Sequence, residues 1–165
     1  MKSKWILVLC AWFSAQDVIA CGMSSTLVPL AMAGGSGPVD ASADELPAPR
    51  VVVTDIVRGI GPNHSSCDDT GLLSVTVDWP RGKQKLRELG FEFTVVSGTT
   101  AYPIFPSGPM QAPSSGRRSD FLFMWREGGP AQQQRIDLQV EVRAVTRDNQ
   151  RGAPTRIVVA AAPGA

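Results

Sequence analysis

Histidine and cysteine are scarce in this chain, which has one His, three Cys and one Tyr among 165 residues. That leaves little material for a metal cluster, and we expect no metal site and no cofactor. An excess of either charge is missing too, because 16 Lys and Arg face 15 Asp and Glu, a net charge of +1. This balance gives no electrostatic reason to expect a nucleic acid as partner. The length suits one domain of ordinary size.

A long hydrophobic run is also absent. The apolar segment Trp5–Phe13 is too short to span a bilayer as a stable helix. Lys2 and Lys4 give it a basic head, and a basic head on a short apolar body is typical of a secretory signal. We therefore predict a signal peptide over residues 1–20 and an exported protein.

The signal ends in Val18-Ile19-Ala20-Cys21. This segment resembles the bacterial lipobox, in which an aliphatic and a small residue precede a cysteine that is diacylated and begins the mature chain. The resemblance implies that Cys21 is lipidated and anchors the protein in a membrane. Gly22 after the cysteine favours the outer membrane, facing the periplasm. Ordinary signal peptidase cleavage at the same bond stays open, and its product would be a soluble periplasmic or secreted protein.

Residues 21–49 have the composition of a flexible tether. Gly, Pro and small residues dominate, as in Gly34–Pro38 and Pro47–Pro49, and no period of 3.6 or 2 is visible. We expect such a segment to bury too little apolar area to offset its ordering entropy. As a coil it would hold a domain roughly 30 Å from its anchor.

From residue 50 to residue 160 the pattern is that of β-strands. Residues 50–57 are rich in branched side chains, and later segments alternate apolar and polar residues. The side chains predicted to point inward are Leu73, Val75, Val77 and Trp79; Leu89, Phe91, Phe93 and Val95; Phe121, Phe123 and Trp125; and Ile136, Leu138, Val140, Val142 and Ala144. About six or seven such strands predict an all-β domain, an antiparallel two-sheet sandwich, with a disordered tail at 161–165.

Two patches resemble a known family. Leu73–Pro80 looks like the second strand of a fibronectin type III domain, with Trp79 as its core tryptophan, and residues 140–155 look like the last hairpin of that domain. The resemblance implies a fibronectin type III or, more generally, an immunoglobulin-like sandwich. The chain departs from the family at Ile136 and Leu138, where a tyrosine is usual, and in a long loop at 97–120.

The state of Cys67 depends on that of Cys21. If Cys21 is acylated, Cys67 is an unpaired thiol. If Cys21 keeps its thiol, a Cys21–Cys67 disulfide would close a loop of about 47 residues, worth on the order of 4 kcal/mol. A nucleophilic Cys67 would need His64 as its base, but neighbours on one loop rarely converge on a single reaction point. A small hydrolase using His64 and Cys67 is therefore the disfavoured interpretation.

Two further motifs each allow a purely structural and a functional interpretation. Asp68-Asp69 could give two oxygen ligands to calcium, but without further acidic residues a turn is favoured. Arg117-Arg118 form a basic tip on the 97–120 loop that could meet a carboxylate on a glycan or a protein. With Tyr102 on the same loop, they are the candidate partner contacts.

These observations favour a non-enzymatic lipoprotein of the cell envelope. It would engage a protein partner through a sandwich face or through the 97–120 loop, and the membrane through its lipid anchor. An envelope inhibitor or immunity-type protein that acts against a toxin or enzyme is the alternative. Sandwich folds host many roles, so the fold does not decide between the two.

Overall fold

A computed structural model describes residues 25, 27–34, 37–61, 68–80 and 84–164. The predicted signal peptide, Cys21, His64 and Cys67 lie outside the described residues. None of the helices in the described part of the chain is long and apolar enough to cross a membrane.

The described chain is all-β. Its nine strands are β1 (Val39–Asp40), β2 (Arg50–Val57), β3 (Thr70–Asp78), β4 (Gly90–Thr99), β5 (Met110–Gln111), β6 (Arg118–Arg126), β7 (Ile136–Val145), β8 (Gln150–Arg151) and β9 (Thr155–Ala161). Single 3₁₀ turns cover Leu86–Glu88 and Pro130–Gln132.

The strands form two sheets that pack face to face. The smaller sheet has the order β2-β3-β6 and is antiparallel. In the larger sheet β5, β4 and β7 follow one another, and β7 also pairs with β9 along its length and with β8 at its end. The pairing of β1 with β8 is the parallel one. The predicted two-sheet sandwich is confirmed.

The core lies between the sheets, and the period-2 patterns identify most of it. Phe91, Phe93, Phe121 and Phe123 are buried and meet mainly edge to face, an arrangement that aromatic rings prefer. Trp79 is 3% exposed and meets Phe91 with ring centroids 6.0 Å apart. All the predicted inward residues are buried except one.

Val95 is the exception. It was predicted to point inward, but it is 41% exposed. Val95 still pairs with the buried Val140, and the register between β4 and β7 shifts only after it, between Val95 and Ser97. Alternation predicts which side chains share one face of a strand, but it does not predict how far along the strand that face is covered.

The segment expected to be a tether differs from that expectation. Leu30 and Leu46 are 5% and 1% exposed, and β1 pairs with β8. Backbone bonds also fix the segment to the domain: Leu30 N–H donates to Pro109 O at 2.8 Å, and Ala153 N–H donates to Leu46 O at 3.0 Å. The described part of residues 27–49 is therefore wrapped onto the sandwich, because its few large apolar side chains fill gaps at the sheet edges.

The chain end also differs from the expected tail. Strand β9 runs to Ala161, which is buried. Beyond it, Gly164 N–H donates to the Gln133 side-chain oxygen at 2.8 Å. Residues 161–164 are therefore part of the fold.

Candidate functional site

The structure separates the predicted partner contacts into two places. Arg117 and Arg118 lie where β6 begins, whereas Tyr102 packs beside Trp125 near its end, with ring centroids 6.3 Å apart. Seven residue steps separate Arg118 from Trp125, which is about 23 Å of strand. Tyr102 and the arginine pair do not form one site.

Arg117 lies between two clefts at the end of the sandwich where β3 finishes. Its Nε and one terminal nitrogen donate to Trp79 O at 3.3 and 3.2 Å. Both clefts are lined by Trp79, Pro80 and Arg117, and their volumes are about 310 and 270 Å³. The guanidinium is thus held on one side by a carbonyl, and its other donors are exposed.

Cations from three separate segments surround these clefts. Lys85 lines the first cleft and Arg50 the second, and both are exposed, as is Arg117. Asp78 contributes a carboxylate to the second cleft, but it already pairs with Arg118 at 3.5 Å. No ion pair to a described carboxylate is found for Arg50, Lys85 or Arg117. We call these three residues, with Trp79 and Pro80, the basic end.

The basic end has the chemistry of an anion-binding surface. Three exposed cations that line two clefts beside Trp79 can meet carboxylates, and Arg117 can do so with two donors at once. The sequence places two further cations, Arg81 and Lys83, directly after Pro80; both lie outside the described residues. The chain is nearly neutral overall, so the basic end is more positive than the chain as a whole.

Tyr102 serves the packing of the opposite end. Its hydroxyl accepts a hydrogen bond from Gln134 N–H at 3.0 Å, and Arg58 lies over its ring, 5.6 Å from the centroid. The surrounding loop is also packed: Ile104 is buried, and Phe105 stacks on Phe93 at 5.8 Å. The exposed residues of the 97–120 loop include Ser97–Thr99 at its start as well as those around Arg117.

Sequence reasoning missed a buried ion pair at this opposite end. Arg58 follows β2 and Glu127 follows β6, and both side chains are 0% exposed. Arg58 Nε and a terminal nitrogen donate to the Glu127 carboxylate at 2.9–3.0 Å. The remaining guanidinium donors reach the carbonyls of Ala161, Ala162 and Gln134. In the sequence, the pair is visible only as one charged residue directly after each of two strand patterns.

The Glu127 carboxylate also accepts hydrogen bonds from groups other than Arg58. It accepts hydrogen bonds from Gly59 N–H at 2.6 Å and from the Trp125 indole at 3.0 Å. Gly71 makes room for that indole, since a Cβ there would lie 2.2 Å from the ring. The pair joins the ends of β2, β6 and β9.

The Asp68-Asp69 turn has a basic neighbour. Asp69 pairs with Arg126 at 3.2 Å, which ties the start of β3 to the end of β6. Within the described ranges, no group of three or more His, Cys, Asp or Glu side chains is placed to hold a metal ion.

Charged side chains lie on the outer face of the larger sheet. One of them, Glu141, leads to a prediction about how stability depends on pH. A hydrogen bond from Arg143 Nε at 2.8 Å, supported by Arg156, lowers the pKa of Glu141. A lowered folded-state pKa contributes stability above the ordinary carboxyl pKa of about 4.3, and this is lost as pH falls through the folded value. We expect Glu141→Gln to lower the urea midpoint at pH 7 and to match the unmodified protein in acid.

An exposed pair serves as the control for this experiment. Asp137 and Arg135 are 3.8 Å apart and both mostly exposed, so Asp137→Asn is expected to change stability by less than about 0.5 kcal/mol. If Glu141→Gln lowered the urea midpoint by the same amount at pH 7 and in acid, this would contradict the lowered pKa of Glu141.

Comparison with protein-family models, with curated proteins and with solved structures yields no match for this chain.

Proposed function

We propose that this chain is a lipid-anchored binding module of the cell envelope whose basic end captures an acidic segment of a protein partner. The observation that carries this proposal is the set of unpaired cations, Arg50, Lys85 and Arg117, around the two clefts at Trp79. Exposed, like-charged groups brought together by distant segments repel one another, and an anionic partner relieves that repulsion.

The strand order supports an immunoglobulin-like assignment of the fold. If β2, β3 and β6 are named A, B and E, and β4, β7 and β9 are named C, F and G, the two sheets have the A-B-E and C-F-G grouping of that class. The fibronectin type III resemblance of residues 73–80 and 140–155 fits this order. Such sandwiches commonly present loops at their ends for recognition, and the basic end is one of these ends.

The buried chemistry supports a non-enzymatic role. Arg58 and Glu127 have their donors and oxygens engaged with each other and with backbone groups. The pair is thus built for stability rather than for proton transfer. The clefts at the basic end are open to solvent, which suits a flexible acidic peptide better than a small substrate that must be enclosed.

In-cell photo-crosslinking tests the proposal. A photoreactive residue replaces Ser115, which lines the first cleft and is exposed, and the control replaces Gln139, which is exposed on the outer face of β7. We expect a discrete adduct with an envelope protein from position 115 and none from position 139. Equal adducts from both positions, or none from 115, would contradict a partner at the basic end.

Charge removal gives the quantitative prediction. Exposed ion pairs are worth up to about 1 kcal/mol each, so Lys85→Ala with Arg117→Ala is expected to reduce the 115 adduct by about tenfold. Thermal stability should change little, because both side chains are exposed. Arg135→Ala is the matched control, since it removes an exposed cation elsewhere. If the control lowers the adduct equally, net charge and not this surface controls capture.

A further inference from the structure

The N-terminal segment is attached to one side of the sandwich, between β5 and β6. Pro29 forms a backbone bridge with Met110, and Gln111 N–H donates to Val28 O at 2.7 Å. Leu30 is buried, and a Cβ on Gly90 would lie 3.0 Å from its side chain. Leu27 packs against the core as well. Residue 27 is therefore a fixed point on the domain.

The distance from this fixed point to the proposed anchor is short. Six residue steps separate Cys21 from Leu27, and even a fully extended chain covers only about 20 Å over that length. The side of the sandwich that carries Leu27 must then stay within this distance of a membrane that holds Cys21. A flexible tether of about thirty residues would place no such restriction on the domain.

The surface at this point is apolar and uncharged. A groove of about 480 Å³ opens there, and its lining includes Leu27, Pro29, Pro103, Ile104, Pro106 and Met124. None of its lining residues carries a charge. Next to Leu27 and Pro29 on the same segment, Val28 is 59% exposed. Exposed apolar surface next to a lipid anchor is suited to the boundary between headgroups and acyl chains.

We propose that this groove side, defined by the groove lining together with Val28, lies against the lipid bilayer that holds the anchor. The inference rests on the proposed lipidation of Cys21. It also assigns separate surfaces to two partners, since the bilayer meets an uncharged side and the protein partner meets the basic end. The acyl chains would hold the protein at the bilayer, and apolar contact by the domain would add to this binding.

Fluorescence quenching by spin-labelled lipids tests the docking. The full lipidated protein, with Cys67→Ser, receives a single bimane-labelled cysteine at Ser107 in the groove, at Ser115 at the basic end or at Thr94 on the outer face of β4; all three positions are exposed. Each protein is reconstituted in phosphatidylethanolamine and phosphatidylglycerol vesicles with nitroxide lipid. We expect quenching at 107 to exceed that at 94 and 115 at least about twofold, and to persist in about 0.5 M salt.

The outcomes separate the docking from the proposed function. Equal quenching at all three positions on protein that floats with the vesicles would overturn the docking and leave the lipid anchor intact. Strongest quenching at 115, lost in high salt, would overturn it by showing that the basic end meets anionic lipid. Protein whose mass lacks the lipid and which does not float would overturn the docking and the lipid anchor together.

Discussion

Replacing Glu127 by Gln is expected to lower the free energy of unfolding by about 3–5 kcal/mol, the usual effect of breaking a buried ion pair. The substitution keeps the shape of the side chain but leaves the Arg58 guanidinium charged and fully buried. It also weakens the acceptor for Gly59 N–H and the Trp125 indole. Chemical denaturation monitored by tryptophan fluorescence measures the change.

Two comparisons identify the buried pair as the cause. Arg118→Ala removes an exposed pair with Asp78 and should cost less than about 1 kcal/mol. The double variant Arg58→Met with Glu127→Leu should cost much less than the sum of the two single losses, because no charge is left buried without a partner. Additive losses would contradict a coupled pair.

Replacing Leu46 by Ala is expected to cost about 2–5 kcal/mol, as for other buried leucines. Leu46 lies in the segment expected to be a tether, yet it is 1% exposed and belongs to the core cluster. Its side chain covers Gly152, where a Cβ would come within 2.8 Å of it. The same denaturation experiment measures the loss.

Val39 is the matched control for this variant. It lies in β1, within the same segment, but is 55% exposed, so Val39→Ala should change stability by less than about 0.5 kcal/mol. If Leu46→Ala were as mild as Val39→Ala, residues 27–49 would behave as a tether after all.

The sandwich was predictable because its strands alternate cleanly. Val75 and Phe123 lie on the inner face for the same reason: side chains of a strand point alternately to opposite sides. Single apolar residues in a Gly- and Pro-rich segment have no such period. Leu30 and Leu46 are buried because gaps at the sheet edges fit them, and such gaps exist only after the sheets have packed.

The candidate site was predictable in part. Arg117 and Arg118 are adjacent in sequence, so their charge was visible as a basic tip. Arg50 and Lys85 join Arg117 from other segments, and only the strand register brings them to one end. The Arg58–Glu127 pair was hidden for the same reason, since 69 residues separate its partners.

The intact mass of the protein purified from cells under non-reducing conditions tests the central claim most directly. We predict a mature chain that begins at Cys21 and is heavier by a diacylglycerol and an acyl chain, with Cys67 unmodified. A mass two hydrogens below that of the unmodified mature chain would contradict the account. It would mean a Cys21–Cys67 disulfide, a soluble protein, and no bilayer for the groove side to meet.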